Sequence, residues 1–134
     1  EVKKGDLLFN TSSETPEEVG MCAVFDSEIE HVYLNSFCFG FRPTNDNVDS
    51  TFIAYLMRSQ IGRKIMSVLA QGATRYNLSK SNFCKAYLLI PTTKEEQTAI
   101  SNYFTNLDKQ INLQTQRLEK LKQIKAACLD NMFV

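Results

Sequence analysis

Tryptophan is missing from this sequence of 134 residues, histidine occurs once, and only three prolines and five glycines punctuate it. Each shortage excludes something. With a single imidazole, a Ser-His-Asp or Cys-His catalytic arrangement has to rest on His31, which lies near Asp26, Glu28 and Glu30. Those acids alternate as they do in a solvated strand or turn, so a small hydrolase built on His31 is the remotest of the functional readings. The chain also lacks a GxxxxGKS-type phosphate loop, a strand-linked GxGxxG, an HExxH, an NPPY-type amino-methyltransferase tetrapeptide and a PD…ExK nuclease pattern. Neither an enzymatic activity nor a cofactor is expected.

Long apolar runs are missing too. No window reaches the roughly 18 consecutive apolar residues of a membrane span, and the start EVKKGDLLF has no uninterrupted apolar stretch after its lysines. The expectation is a soluble cytoplasmic protein with no membrane partner. Cysteine is present but dispersed: Cys22, Cys38, Cys84 and Cys128 form no CxxC pair, and each has apolar neighbours. Buried free thiols in a reducing compartment are expected, with no metal site.

The most useful absence is local. Residues 50 to 94 contain seven Lys or Arg and no Asp or Glu, whereas residues 1 to 49 contain three basic and ten acidic residues, so the formal net charge of zero conceals opposite thirds. A polyanion responds to the local potential, not the sum, so a nucleic-acid face is compatible with overall neutrality. The opposing reading has the acidic first third fold over the basic one and neutralise it.

What is there reads as an α/β module of short mixed strands and helices, followed by one long helix. KGDLLFN, GMCAVFD and SFCFGFR are predicted strands, the last placing Phe37, Phe39 and Phe41 on one face by alternation. NTSSETPEE is a predicted turn-rich loop, and SEIEHVYLN a connection or an irregular strand. Asp49 or Ser50 caps a helix whose apolar positions Phe52, Ile53, Leu56, Met57, Ile61, Ile65, Met66 and Leu69 follow the 3.6 period, with Gly62 bending or dividing it. QGATRYNLSKSNF is a predicted loop closing with a helical turn near Ser79 to Phe83, and AYLLIP a predicted strand.

From Thr93 the character changes. Thr93 and Glu96 form a capping-box pattern, and no Gly or Pro interrupts residues 94 to 134. A helix of about 39 residues spans about 58 Å, far more than a small globule needs. Phe104, Leu107, Ile111, Gln114, Leu118, Leu121, Lys125, Cys128 and Met132 alternate in steps of three and four, and seven of these nine are apolar, which fits a coiled-coil seam. The division expected is 1–92 for the module and 93–134 for the pairing helix.

Within the basic third, Thr74, Arg75, Tyr76, Asn77, Ser79 and Lys80 share one loop. Arginine bonds bidentately to guanine and asparagine to adenine, while Lys, Ser and Thr bind phosphate oxygens, so these side chains suit DNA recognition. A plainer reading stands beside it, in which Tyr76 and Leu78 anchor the loop and Arg75 and Lys80 stay hydrated.

The segments KGDLLFNTSS, YLNSFCFGFRP, QGATRYNLSKSNF and IPTTKEEQTAISNYFTNLDKQI resemble, in order, four successive blocks of the DNA specificity subunit of type I restriction-modification systems. That family's pattern is approximately a GDLLF strand, an alternating strand ending in Arg-Pro, a loop with Gly, Ser or Thr, Thr and then Asn-Leu-Ser, and IP…EEQ.AI opening a long helix. Single blocks are weakly specific, but four in order over nearly the whole chain are strong. Gly72, Thr74, Asn77, Leu78 and Ser79 match the loop pattern, Ala73 replaces the usual Ser or Thr, and Arg75 and Tyr76 occupy variable positions, where specificity is expected. The resemblance implies a target recognition domain that reads one half of a bipartite double-stranded DNA site. It also implies a helix that pairs antiparallel with a second such helix, or with a second copy, and docks methyltransferase subunits, the restriction subunit joining indirectly. The family has a substantial segment before its GDLLF strand, so a domain lacking its N-terminal part is expected here. The rival from another class is a coiled-coil adaptor that assembles partners without reading DNA.

Overall fold

The computed structural model describes residues 1–132; Phe133 and Val134, which the sequence places at the end of the long helix, lie outside the described residues. The elements are β1 (Leu7–Asn10), β2 (Ser12–Ser13), β3 (Cys22–Val24), β4 (Cys38–Phe41), α1 (Ser50–Arg58), α2 (Gln60–Leu69), β5 (Tyr76–Asn77), α3 (Lys80–Phe83) and α4 (Lys94–Met132). Short mixed strands and helices followed by one long helix are therefore the architecture. Residues Glu1–Ser101 form one compact unit and those from Asn102 on a second. No helix is long and apolar enough to cross a membrane among the described residues.

The GDLLF segment supplies the central strand. β1 pairs antiparallel with β3 on one side and β4 on the other, with Phe9 opposite Cys22 and Phe39. Its alternation buries Leu7 and Phe9 and leaves Leu8 and Asn10 less covered, as a strand with one core face requires. Against that face pack Ala54 and Met57 of α1, Met66 of α2, and Val19 and Leu78 from loops. Burying a side chain as large as Phe9 contributes on the order of 2–3 kcal/mol. Across the sheet, Arg42 donates from Nε and Nη2 to the two carboxylate oxygens of Asp6, each at 2.7 Å. This bidentate clasp is the main reason the Asp6 carboxyl sits below its ordinary pKa, with the Lys3 backbone N–H assisting.

Several expectations need correction. Phe37 lies outside β4 and is exposed, so its place in the aromatic cluster is taken by Phe83, whose ring is 4.7 Å from Phe9 and 4.9 Å from Phe41. NTSSETPEE, read as a loop, contains β2, whereas the segment 27–35 is irregular, as a connection is expected to be. AYLLIP takes no strand neighbour: Tyr87 and Leu89 are 94% and 100% exposed, and alternation without a ladder partner does not make a strand. Cys22 is buried, and desolvation pushes its thiol up to about 12, but Cys84 and Cys128 are exposed.

The helix after Asp49 does divide, but at Ser59. The Asp49 carboxylate accepts from Phe52 N and caps α1; the Ser59 hydroxyl accepts from Gly62 N and caps α2. Restarting at Ser59 resets the helical phase, which turns Ile61 outward despite its place in the single-helix pattern. Gly62 has a different role: a Cβ there would collide with the backbone of Leu56 and Met57, so glycine permits the close contact of the two helices.

Helix α4 begins as its capping box indicates, with Thr93 Oγ1 accepting from Glu96 N and acids at 95 and 96 facing the positive end of the dipole. Its first turns are built into the module. Gln97 is buried, accepts from Asp49 N at 2.9 Å and donates to Pro91 O and Asn47 O, and Thr98 and Ser101 donate to the free oxygen of Asp49. From residue 108 to 132 every side chain is exposed.

Candidate nucleic-acid interface

Most of the segment predicted as a loop is a tight hairpin. Gln71 and Asn77 exchange both backbone hydrogen bonds, at 2.9 and 2.7 Å, which closes residues 72 to 76 into a short tip. Gly72 sits at φ +135°, and a Cβ there would run into the carbonyl of Arg75, so the turn requires glycine. β5 then pairs with β2, Ser12 opposite Asn77 and Ser13 opposite Tyr76, and Leu78 N donates to Thr11 O at 2.8 Å. Leu78 is fully buried beneath the hairpin. The tip is thus fixed by backbone bonds on both sides and an apolar plug.

The six side chains singled out from the sequence share this region but have different surroundings. Tyr76 is partly buried and packs on the core cluster. Asn77 directs Nδ2 to the Arg75 carbonyl at 3.1 Å, and Ser79 Oγ accepts from Asn82 N to cap α3. Thr74, Arg75 and Lys80 are exposed. The Arg75 guanidinium donates from Nε to Ser12 Oγ at 2.9 Å, and the Lys80 ammonium lies 5.5 Å from the centroid of the Phe41 ring, where the ring's quadrupole attracts it. Tyr76 and Leu78 thus anchor the loop, and the side chains left exposed at its tip are cationic and polar.

The acid-free third is less uniformly available than its composition implies. Arg63 donates to the carbonyls of Glu17, Val19 and Gly20, and burial lowers its pKa from the usual arginine value. Arg58 donates from Nε to Cys22 O. These two cations hold the fold. Four acids of the first third pair instead within their own third: Asp6 with Arg42, Glu28 and Asp26 with Lys4, and Glu1 beside the His31 ring. Among the described residues none of them forms an ion pair with Arg75, Lys80 or Lys85. His31, at φ +60°, is exposed, with its Nδ1 3.5 Å from the Glu1 carboxylate.

The decisive comparison covers most of the chain: the family model of the type I restriction modification DNA specificity domain matches residues 1–123. This chain belongs to that family. A specificity domain is the DNA-recognition part of a type I restriction-modification system, distinct from the parts that carry out catalysis, and it works in association with them. The match takes in the sheet, the hairpin and the greater part of α4, so the four sequence blocks and the folded specificity domain coincide. Two features escaped sequence reasoning. Ser12 pairs with Asn77 from a stretch read as plain loop, and Leu113 and Ile124 are large, exposed side chains about 100° round α4 from the heptad seam.

Proposed function

We propose that this specificity domain reads duplex DNA through the hairpin tip, as the specificity subunit of a type I methyltransferase and endonuclease complex. Residues 1–92 act as the target recognition module and 93–134 as the pairing and spacer helix. The observation that carries the reading is the rigid hairpin of residues 71–77, which leaves Thr74 and Arg75 exposed with Lys80 close behind. Arg75 is assigned to a base edge and Lys80 and Thr74 to phosphates, while Asn77, Ser79 and Tyr76 combine any DNA contact with shaping the tip. The heptad seam takes a second helix of the same kind, from another repeat or a second copy. Leu113 and Ile124 support docking of a methyltransferase subunit on a separate face, and the restriction subunit joins through that assembly.

The test is the salt dependence of duplex binding by the full chain. Among the described residues, five basic residues of the acid-free third, Lys64, Arg75, Lys80, Lys85 and Lys94, are not committed to backbone carbonyls. If about four phosphates are neutralised, log K falls against log salt with a slope near −3.6. Binding that does not change between low and physiological salt, or no duplex binding by a chain that still assembles its partners, would favour the adaptor.

A further inference from the structure

A guanidinium carries five N–H donors, one on Nε and two on each terminal nitrogen. It can meet a pair of acceptors from the side, with Nε and one Nη, or end-on, with both Nη groups. In Arg75 the first option is taken: Nε donates to the hydroxyl of Ser12, 63 residues earlier in the chain. Nη1 and Nη2 make no hydrogen bond among the described residues. The end-on fork is what remains.

The root of the side chain is fixed as well. Its carbonyl accepts from Asn77 Nδ2 and is the atom against which Gly72 is packed, while the β2–β5 ladder places the Ser12 backbone directly opposite Asn77. An arginine held at its root and at Nε has only its tip left to orient. We infer that Ser12 is a positioning residue for base readout, presenting Nη1 and Nη2 of Arg75 end-on to the O6 and N7 of one guanine in the major groove. Ser12 does not itself touch DNA. It reduces the rotamer freedom that Arg75 loses on binding and fixes the fork's direction. Direction matters for a base edge, which offers two acceptors in one plane; a phosphate is approachable from many sides. The inference rests on the proposed role of the hairpin in reading DNA.

The experiment exposes the full chain to a pool of randomised DNA duplexes and sequences the bound fraction, for wild type and for S12A, S12T, S12V and R75A. Wild type should enrich a motif containing a fixed G·C pair, and R75A should lose the preference at that pair. S12A should weaken the preference at the same pair alone, by about fivefold, the worth of one hydrogen bond, with affinity for the unselected pool unchanged. S12T and S12V are nearly isosteric and both suit a strand, so recovery by S12T but not by S12V assigns the effect to the hydroxyl even if S12A disturbs β2. If Ser12 variants select as wild type does while R75A has lost the pair, the positioning role is overturned and the hairpin reading stands. If Ser12 variants and R75A weaken all duplexes alike, Arg75 holds a phosphate and the inference is likewise overturned. If R75A selects as wild type does, or wild type enriches no motif, the hairpin reading itself fails.

Discussion

Arg63 donates to three backbone carbonyls of the loop that precedes β3, whereas Lys80 sits at the surface over the ring of Phe41. Equal charges thus have unequal consequences. Arg63→Ala leaves those carbonyls without their donor and should lower stability by about 2–3 kcal/mol in urea denaturation. Lys80→Ala should leave stability within about 0.5 kcal/mol and weaken binding to all duplexes alike, because a phosphate contact carries no sequence information. A Lys80→Ala variant that changed the selected motif would remove the phosphate assignment. The clasp of Asp6 by Arg42 has a pH signature. Asp6 has a depressed folded pKa, so its contribution is complete above the unfolded carboxylate value of about 3.9 and disappears as pH falls through the lower folded value. Asp6→Asn should therefore be less stable than wild type at neutral pH, with the gap closing only in acid. A gap that stayed constant down to the lowest pH at which the protein folds would show that the charge of Asp6 contributes nothing.

Helix α4 and helix α1 share one polar joint, in which the buried Gln97 carboxamide accepts from Asp49 N and donates to Asn47 O and Pro91 O. Gln97→Leu keeps the volume but orphans an N–H and two carbonyls inside the module, which should cost about 3 kcal/mol. The expected readout is a lower urea midpoint with the helical circular dichroism signal retained before the transition; an unchanged midpoint would mean that water or a rearranged side chain replaces the joint. The EEQ motif marked a helix start in the sequence, yet nothing in it announced that its glutamine would be buried, since two of its three partners, Asp49 and Asn47, lie about fifty residues away. The same division runs through the other elements. β1 and β3 were legible as short apolar runs bounded by polar residues, β4 by its alternating aromatics, and α3 because Ser79 precedes it as a cap. β2 and β5 are two residues each, too short for any period, and exist through pairing with each other. The break at Ser59 was signalled by a serine three residues before Gly62, but the continuous apolar pattern masked it. At the candidate site, residue types placed Thr74 to Lys80 together, while the bond from Arg75 to Ser12 depends on a ladder that no local pattern encodes.

At the scale of the whole molecule, the heptad seam proposed for α4 makes a specific prediction about how copies of the chain assemble. Ile111, Leu118, Leu121 and Met132 are 54% to 73% exposed, more apolar surface than a helix keeps in water without a partner. In an antiparallel pair the two polar interruptions, Gln114 and Lys125, should face one another so that neither is set against an apolar side chain. A two-fold axis between Glu119 and Lys120 achieves this. The same axis sets Leu107 against Met132, Ile111 against Cys128, and Leu118 against Leu121, so six of the seven apolar seam residues meet an apolar partner. A symmetric homodimer built this way carries two recognition modules related by the two-fold symmetry that a bipartite site presents. Ile111→Cys tests the register, because Cys128 is a free, exposed thiol and would lie opposite the new one. Mild oxidation should give an intermolecular disulfide between positions 111 and 128, provided the Cβ atoms approach within about 4.5 Å. Peptide mapping should locate it there and not at Cys84, the other exposed thiol, and adding Cys128→Ser should abolish it. A monomer in sedimentation, or crosslinking between two copies of position 111, would exclude this register and leave a methyltransferase subunit to cover the seam.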